Sequence, residues 1–226
     1  MNFPTHITPI LPLENGDKLS RDEFERRYNA MPNLKKAELV EGIVYMASPL
    51  HFESHGKPHG FILTWLGTYC AATPSVHFAD NATVRLDEDT EIQPDALLFL
   101  PPAQGGQCRI SEDDFLVGSP ELIVEIAASS ASYDLHSKRR IYQRCGVLEY
   151  LIWVVYEQRF EWLQLRQGQY VPLQPDAMGL LRSQVFPGLV LVVEALLTGD
   201  LAKVLAKLQQ GLQTTEHTAF VEKLSK

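Results

Sequence analysis

The chain has 226 residues, of which 45% are hydrophobic and 21% are charged. This mixture is typical of a globular domain and excludes a wholly disordered chain or a fibre. The formal net charge of -8 at pH 7 argues against a general nucleic-acid coat protein, because such proteins are basic over much of their surface. Any contact with nucleic acid is therefore expected to be local.

The cysteine content and the shortness of the apolar stretches favour a cytoplasmic protein. Three cysteines, odd in number and far apart, argue against a disulfide framework and a cysteine-rich zinc site. The N-terminal sequence lacks the basic region and apolar run of a secretory signal. No apolar stretch is long enough to span a bilayer, so we expect no membrane association. The cysteines are Cys70, Cys108 and Cys145.

The first part of the chain is predicted to hold an extended arm, two helices and a pair of strands. The arm covers residues 1–19, which contain prolines and glycines but no periodicity. Ser20 and Glu23 form the pattern of a capping box, which predicts the start of a helix. The following segments are a strand pair or a bulged strand over 37–47, a histidine-rich loop over 48–59 and a helix over 61–69.

The rest of the chain combines strands with one central helix, which is typical of a mixed α/β sheet. Short apolar runs predict strands over 76–79, 82–86, 93–100, 121–128 and 149–156. The helix covers residues 134–145 and ends where Gly146 can adopt a left-handed conformation. The remaining elements are a hairpin around Gln167-Gly168, a strand near 189–193, a helix capped by Asp200 and a last helical segment over 215–224.

Two carboxylates occupy positions where the pattern calls for apolar side chains. Glu125 lies within the run LIVEIAA, and burying an unpaired carboxylate costs several kcal/mol or forces its protonation. It either faces water on an edge strand or serves as a metal ligand or catalytic group. Asp95 follows Pro94 at the start of a strand, because proline cannot donate to a β ladder. It is either a turn residue or the second member of the same site.

A lysine occupies the middle of the apolar face of the helix over 134–145. The apolar stripe consists of Leu135, Ile141, Tyr142 and Cys145. Lys138 therefore either extends its ammonium to the edge of this face or points it at an acidic site. Glu125 precedes the helix by one short loop, so the coincidence of the two favours an acidic site that contains a cation.

Three histidines, His51, His55 and His59, recur at a spacing of four residues. This spacing is that of a zinc-binding helix, but Gly56 and Pro58 argue against one continuous helix through all three. A zinc site is therefore the lesser hypothesis. His55 is either a single active-site group at the start of the next helix or an ordinary loop histidine.

Concentrated positive charge occurs at one place, Lys138 to Arg144. Arg139, Arg140 and Arg144 lie off the apolar stripe, so they form either a solvated helix face or a phosphate-contacting patch beside the acidic site. The sequence has no GxGxxG, Walker, GxSxG or kinase signature, and so offers no support for nucleotide-cofactor chemistry or serine hydrolysis.

The aromatic hairpin near the C-terminus predicts a homodimer. Phe160, Trp162 and Tyr170, together with the apolar C-terminal segment, exceed what the core of one small sheet needs. Such an excess commonly marks an interface between subunits. The alternative is that these aromatic side chains cover the back of the sheet.

The segments that contain these residues also carry a family resemblance. They are AELVEGIVYM, the loop from Ser48-Pro49 to His55, QPDALLF, PELIVEIAASS and DLHSKRRIYQRCGVLEYLIW. In this order and spacing, over about residues 20–195, the chain resembles the Uma-two family of restriction-endonuclease-like proteins, within the PD-(D/E)xK nuclease superfamily. The resemblance implies a restriction-endonuclease-like α/β fold over 20–196, with a mixed central sheet flanked by helices, an added hairpin and a C-terminal helical extension over 197–226.

The resemblance implies a metal-dependent endonuclease that hydrolyses phosphodiester bonds in DNA. Asp95 and Glu125 would hold Mg²⁺ or Mn²⁺, both of which prefer oxygen ligands. Ala127 stands where the superfamily has a lysine, and Lys138 matches the position from which this family supplies it. His55 occupies the region of the superfamily's first-helix glutamate, and it completes the predicted catalytic set with Asp95, Glu125 and Lys138.

Further residues are expected to support this site. Glu38 and Glu41 match acidic positions in the family's early strand, and the three arginines near Lys138 would contact phosphate. The alternative function is that of a catalytically inactive, nuclease-fold binding or scaffold protein. The negative net charge and Ala127 favour this alternative, whereas the retained polar groups in a buried stripe argue against it.

Overall fold

The computed structural model describes residues 10–46, 50–128 and 134–226, apart from the side chains of Asp134 and Leu135. Within these ranges the helices are α1 (Arg21–Asn29), α2 (Lys57–Ala72), α3 (Arg139–Cys145), α4 (Val193–Thr198), α5 (Leu201–Leu212) and α6 (Thr215–Leu224). A π-helical turn precedes α2 and another precedes α3, over Phe52–Gly56 and Asp134–Lys138.

The described strands form two six-stranded mixed sheets and a ribbon. The first sheet, in the order β2-β1-β5-β4-β8-β7, contains β1 (Ala37–Val40), β2 (Ile43–Met46), β4 (Val84–Asp87), β5 (Thr90–Ile92), β7 (Arg109–Ile110) and β8 (Leu116–Val117). The second, in the order β12-β11-β10-β9-β6-β3, contains β3 (His77–Ala79), β6 (Ala96–Phe99), β9 (Leu122–Ala127), β10 (Glu149–Val154), β11 (Arg159–Arg166) and β12 (Gln169–Pro172). The ribbon pairs β13 (Leu180–Arg182) with β14 (Val190–Val192).

The chain crosses from the first sheet to the second at Gln93-Pro94-Asp95. β5 belongs to the first sheet and β6 to the second, and Pro94 between them has no N–H to continue a β ladder. The strand predicted over 93–100 is therefore shorter, and the strands predicted for one mixed sheet are divided between two. This crossing places Asp95 between the sheets.

Strand β9 is an inner strand, as predicted. It pairs with β10 in parallel and with β6 in antiparallel orientation, and all six of its residues are buried. Leu122, Val124 and Ile126 pack into the core that contains α2, whereas Ile123 and Ala127 pack into the core that contains α3. Because side chains alternate along a strand, Glu125 faces α3.

The ends of several helices confirm the predicted signals. The Ser20 hydroxyl accepts a hydrogen bond from the Glu23 N–H at the start of α1, and Asp200 caps α5 by accepting from the Lys203 N–H. Gly146 ends α3 with a φ of 88°, a conformation that glycine adopts without steric cost. The sequence analysis did not predict the short elements β5, β7, β8, β13 and α4.

The histidine-rich segment is helical, so the prediction of a loop over 48–59 is wrong for residues 52–59. The π-helical turn over Phe52–Gly56 runs directly into α2, with Pro58 in the first turn. Proline is tolerated there because the first N–H groups of a helix have no acceptor within the helix. The wide turn and the helix bring the rings of His55 and His59 to 5.4 Å between centroids. Residues 47–49 lie outside the described ranges.

The aromatic side chains of the C-terminal hairpin are used inside the chain. Trp162 packs edge-to-face on Trp65, and both rings are buried. Tyr170 is also buried and donates a hydrogen bond from its hydroxyl to the Val147 carbonyl. These two residues therefore cover the sheet within one chain. The sequence analysis gave this arrangement as the alternative to a homodimer interface. In the described ranges no helix is both long and apolar enough to cross a membrane.

Glu91 is expected to make the stability of the first sheet depend on pH. Burial, and then a hydrogen bond with Glu25, raise the pKa of Glu91 from 4.5 to about 8. In the unfolded chain this carboxyl ionises near its usual pKa, so the free energy of unfolding falls as the pH rises from 4.5 towards 8. Replacing it by Gln removes this proton linkage. We expect the melting temperature of Glu91→Gln to fall less than that of the unchanged protein over this window.

Circular-dichroism melts at several pH values measure this difference. Glu222 is exposed, and Glu222→Gln serves as the matched control that keeps the original pH dependence. If the melting temperature changes equally with pH in the unchanged protein and in Glu91→Gln, then Glu91 has the same pKa in the folded and unfolded chains.

Candidate active site

The pairing of β6 with β9 brings Asp95 next to the strand that carries Glu125. Ala96 pairs with Val124 in antiparallel orientation, and Asp95 precedes Ala96 just outside β6. Both carboxylates are buried. The Ile126 N–H donates to Asp95 Oδ2 over 2.8 Å, which fixes the orientation of that carboxylate.

Lys138 points into this acidic site and is 3% exposed. Its Nζ donates to Glu125 Oε1 over 2.9 Å and to Glu38 Oε1 over 3.0 Å. Glu38 comes from β1 of the first sheet, and its Oε1 also accepts from the Gln93 N–H over 2.9 Å. The ammonium is therefore an internal cation that joins the two sheets, rather than one that extends to solvent.

Tyr142 is a member of the site that the sequence analysis assigned only to the apolar stripe. It lies one helical turn after Lys138, and its hydroxyl donates to Glu125 Oε1 over 2.7 Å. Complete burial, and then the nearby Glu125 carboxylate, raise the pKa of Tyr142 well above its usual value, so the phenol remains a hydrogen-bond donor. The one signal in the sequence that could have assigned Tyr142 to the site is its spacing of four residues from Lys138, because residues at this spacing share a helix face.

His55 faces Asp95 from the π-helical turn. Its Nε2 lies 3.5 Å from Asp95 Oδ1 and, although buried, has no hydrogen-bond partner. Burial lowers the pKa of His55, while the Asp95 charge and a hydrogen bond with the Ile126 backbone act in the opposite direction. The imidazole is consequently neutral at pH 7. An unpartnered ring nitrogen next to a carboxylate oxygen is a natural place for a ligand.

The other two histidines have different surroundings. His59 Nε2 lies 2.8 Å from the Asp95 carbonyl oxygen and 3.1 Å from Asp80 Oδ1. His51 is exposed at the start of the π-helical turn. Among the described residues, no three or more His, Cys, Asp or Glu side chains are grouped closely enough to hold a metal ion as they stand. The three histidines therefore do not form the zinc site weighed in the sequence analysis.

Lys36 is a second cation beside Asp95, and it was missed from the sequence. Its Nζ lies 3.6 Å from Asp95 Oδ1, and 23% of its side chain is exposed. It also donates to Asn81 Oδ1 over 3.2 Å. Lys36 precedes β1 in an unremarkable KKAELV stretch, so only the three-dimensional arrangement connects it with the site.

The remaining predicted residues lie around the buried cluster. Glu41 occupies the β1–β2 turn, where it is exposed and pairs with Arg140 over 2.8 Å. Arg144 pairs with Asp87 over 2.9 Å, and Arg139 is half-buried. The structure therefore brings Glu38 into the cluster and leaves Glu41 outside it. Ala127 is fully buried.

The comparison with protein families agrees with this arrangement. The family model Uma2, described as "Putative restriction endonuclease", matches residues 21–194. The chain belongs to the Uma2 family. The resemblance to the Uma-two family is thereby confirmed, and the matched segment contains every member of the buried cluster.

A solved structure shows the same fold. It is described as a putative nuclease belonging to DUF820 from Anabaena variabilis ATCC 29413, and it is similar with a TM-score of 0.58. The sequence identity is 14%, and the similarity covers 76% of this chain and 96% of that chain. The predicted restriction-endonuclease-like α/β fold is confirmed. No curated protein matches the sequence.

Removing the Lys138 ammonium is expected to destabilise the protein at neutral pH. In Lys138→Met the Glu38 and Glu125 carboxylates lose their buried cation, and removing one partner of such a buried pair costs about 3–5 kcal/mol. Urea unfolding of the unchanged protein and of Lys138→Met measures this loss.

Two further variants separate charge from packing. Lys203 is exposed on α5, and Lys203→Met should change the free energy of unfolding by less than about 0.5 kcal/mol. Adding Glu38→Gln and Glu125→Gln to Lys138→Met should restore much of the lost stability, because no buried charge remains unpaired. A Lys138→Met protein as stable as the unchanged chain at neutral pH would contradict the proposed charge balance.

Proposed function

We propose that this Uma2 protein is a metal-dependent nuclease that hydrolyses phosphodiester bonds in DNA. The observation that carries the proposal is the group of buried charged side chains around β9, with Asp95 held by the Ile126 N–H and Glu125 bound by Lys138. Burying two carboxylates and a lysine is costly, and the fold alone does not require it. The family description and the nuclease-like fold support the same class of chemistry.

The donor atoms around Asp95 are of the kinds that bind a divalent metal ion. Oδ2 is held by the Ile126 N–H, while Oδ1 faces the unpartnered Nε2 of His55 at 3.5 Å. A carboxylate oxygen and a neutral imidazole nitrogen are both suitable ligands for Mn²⁺, and oxygen ligands suit Mg²⁺. Asp95 and Glu125 would hold the ion, with His55 in support, once these side chains close around it, because no three such groups among the described residues are close enough as they stand. The bound ion would polarise the phosphate and lower the pKa of a water molecule.

In the proposed mechanism, hydrogen-bond donors of the protein hold the two carboxylates in fixed orientations. Lys138 and Tyr142 both donate to Glu125 Oε1, so they hold this carboxylate in one position. The Ile126 N–H does the same for Asp95. In hydrolysis a water oxygen bonds to phosphorus and the bond to the leaving sugar oxygen breaks. Fixed donors and carboxylates lower the barrier, because they need no reorganisation as charge develops.

Local positive charge supports nucleic acid as the substrate in spite of the net charge of -8. Arg140 and Arg144 lie on the helix that carries Lys138, and their side chains are 67% and 50% exposed. Their partners, Glu41 and Asp87, form surface ion pairs, which contribute little stability and exchange readily. Phosphate groups can take the place of these partners, and contacts of this kind position nucleic acid without reading its sequence.

Asp95→Asn is expected to abolish most of the metal-dependent cleavage. The amide removes the charge that would hold the ion while keeping the size of the side chain. Cleavage of supercoiled plasmid with Mg²⁺ or Mn²⁺ should fall at least about 100-fold, the scale of losing one positioned electrostatic group. The affinity for Mn²⁺, measured by titration calorimetry in the absence of DNA, should also fall in this variant.

The control for this experiment is Glu157→Gln, since Glu157 is an exposed carboxylate paired with Arg159. It should leave cleavage and Mn²⁺ affinity unchanged. Unchanged Mn²⁺ affinity in Asp95→Asn would exclude Asp95 as a ligand. Absence of cleavage by the unchanged protein with either metal, on plasmid and on single-stranded DNA, would favour the binding or scaffold alternative.

Self-association is a separate part of the proposal. With Trp162 and Tyr170 buried in one chain, a homodimer has to use exposed apolar residues such as Val171 on the edge strand β12, or Tyr156. Light scattering at micromolar concentration is expected to report twice the chain mass of 25.5 kDa. The mass of a single chain would rule out a stable homodimer.

We also propose a cytoplasmic location. Cys70, Cys108 and Cys145 are free thiols, and Cys108 is buried. Free thiols are usual in a reducing compartment, where a DNA substrate is also accessible.

A further inference from the structure

Lys138 is poorly placed to contact a substrate phosphate directly. Its ammonium is 3% exposed and is already bound by Glu125 and Glu38. Reaching a phosphate would leave two buried carboxylates without their cation, which is energetically costly. Lys138 therefore acts as a positioning residue for Glu125. Hydrolysis still benefits from a cation that can approach the phosphate, because negative charge increases there in the transition state.

Lys36 has the accessibility that Lys138 lacks. Its side chain is 23% exposed, and its Nζ lies 3.6 Å from Asp95 Oδ1. This distance is too long for a hydrogen bond, so the ammonium is close to the carboxylate without being bound tightly to it. His55 Nε2 approaches the same oxygen to 3.5 Å. Asp95 Oδ1 is thus flanked by two nitrogen groups, of which only Lys36 carries a permanent positive charge.

A chain of polar contacts holds Lys36 at this place. Its Nζ donates to Asn81 Oδ1 over 3.2 Å, and Asn81 Nδ2 donates to Asp80 Oδ1 over 2.6 Å. Asp80 in turn lies 3.1 Å from His59 Nε2, on the first turn of α2. Asn81 adopts a φ of 50°, a left-handed conformation that asparagine tolerates better than most residues. The half-buried lysine is therefore oriented by side chains from two separate segments.

We propose that Lys36 is the residue that binds the scissile phosphate, in place of the lysine that the superfamily carries where this chain has Ala127. This inference rests on the proposed nuclease function for its chemistry. The Lys36 ammonium donates to a non-bridging phosphate oxygen and stabilises the charge that develops on it during hydrolysis. Lys138 holds the Glu125 carboxylate in place through its hydrogen bond to Oε1. Phosphate binding and the positioning of the carboxylate, which one strand lysine could combine, are thus divided between the half-buried Lys36 and the buried Lys138.

The test compares Lys36→Met, Lys36→Arg and Lys35→Met. Lys35 is the exposed neighbour in sequence, which makes Lys35→Met the matched control for loss of one positive charge. Three quantities are measured: the melting temperature, the affinity of the Mn²⁺-loaded protein for inorganic phosphate by calorimetry, and kcat for cleavage of duplex DNA. Mn²⁺ affinity without phosphate is measured first.

Lys36→Met is expected to keep its melting temperature and to bind Mn²⁺ about tenfold more tightly, because a positive charge beside Asp95 is removed. Phosphate binding should weaken about tenfold, and kcat should fall about 100-fold. Lys36→Arg should retain most of the phosphate affinity and most of kcat, since a guanidinium also binds phosphate. Lys35→Met should leave all three quantities unchanged.

The outcomes separate this inference from the proposed function. If the unchanged protein cleaves no DNA but Lys36→Met still weakens phosphate binding, the nuclease proposal fails and the phosphate contact stands. If phosphate binding is the same in Lys36→Met and Lys35→Met, Lys36 is not the phosphate contact, whether or not the protein cleaves DNA. Absence of phosphate binding by the unchanged, Mn²⁺-loaded protein would also overturn the inference.

Discussion

The buried ammonium of Lys138 is the interaction on which the arrangement of the site depends. It lies between Glu125 of the second sheet and Glu38 of the first. Each carboxylate would be unstable at its buried position without a cation, and the lysine would be equally unstable without the carboxylates. The three charges therefore require one another, and they connect the two sheets.

The crossing at Pro94 gives this charge balance a place in the fold. Because Pro94 interrupts the ladder, the chain leaves the first sheet before Asp95 and enters the second after it. The gap between the sheets receives Glu38 from one side and Glu125 from the other. The π-helical turn before α2 then brings His55 to the open side of Asp95. The site is thus formed where two sheets and two helical turns meet.

Glu125 shows how much of the site was predictable from the sequence. A single carboxylate in an otherwise apolar run has few stable surroundings, so its burial and the opposing Lys138 could be inferred from strand and helix periodicity. Asp95 was recognisable because Pro94 marks the start of the strand. Both inferences concern residues that violate a local pattern, and such violations are visible without a structure.

Lys36 and Tyr142 were missed for the opposite reason, since neither violates its local pattern. Lys36 is an ordinary charged residue before a strand, and Tyr142 is an ordinary aromatic residue in an apolar stripe. Their roles depend on contacts between segments distant in sequence, such as Lys36 with Asp95. The helical form of the histidine segment was also missed, because a proline that usually breaks a helix is tolerated in its first turn.

The separation of these residues along the chain determines when the site can form during folding. Glu125 and Lys138 are 13 residues apart, whereas Glu38 and Lys138 are 100 residues apart. Closing a longer loop costs more conformational entropy, so contacts between near neighbours in sequence are favoured early. The unit of β9 and α3 can assemble first, and Glu38 reaches it when the first sheet docks. A partly folded chain therefore lacks the complete charge cluster, and Glu38, Glu125 and Lys138 meet only in the fully assembled protein.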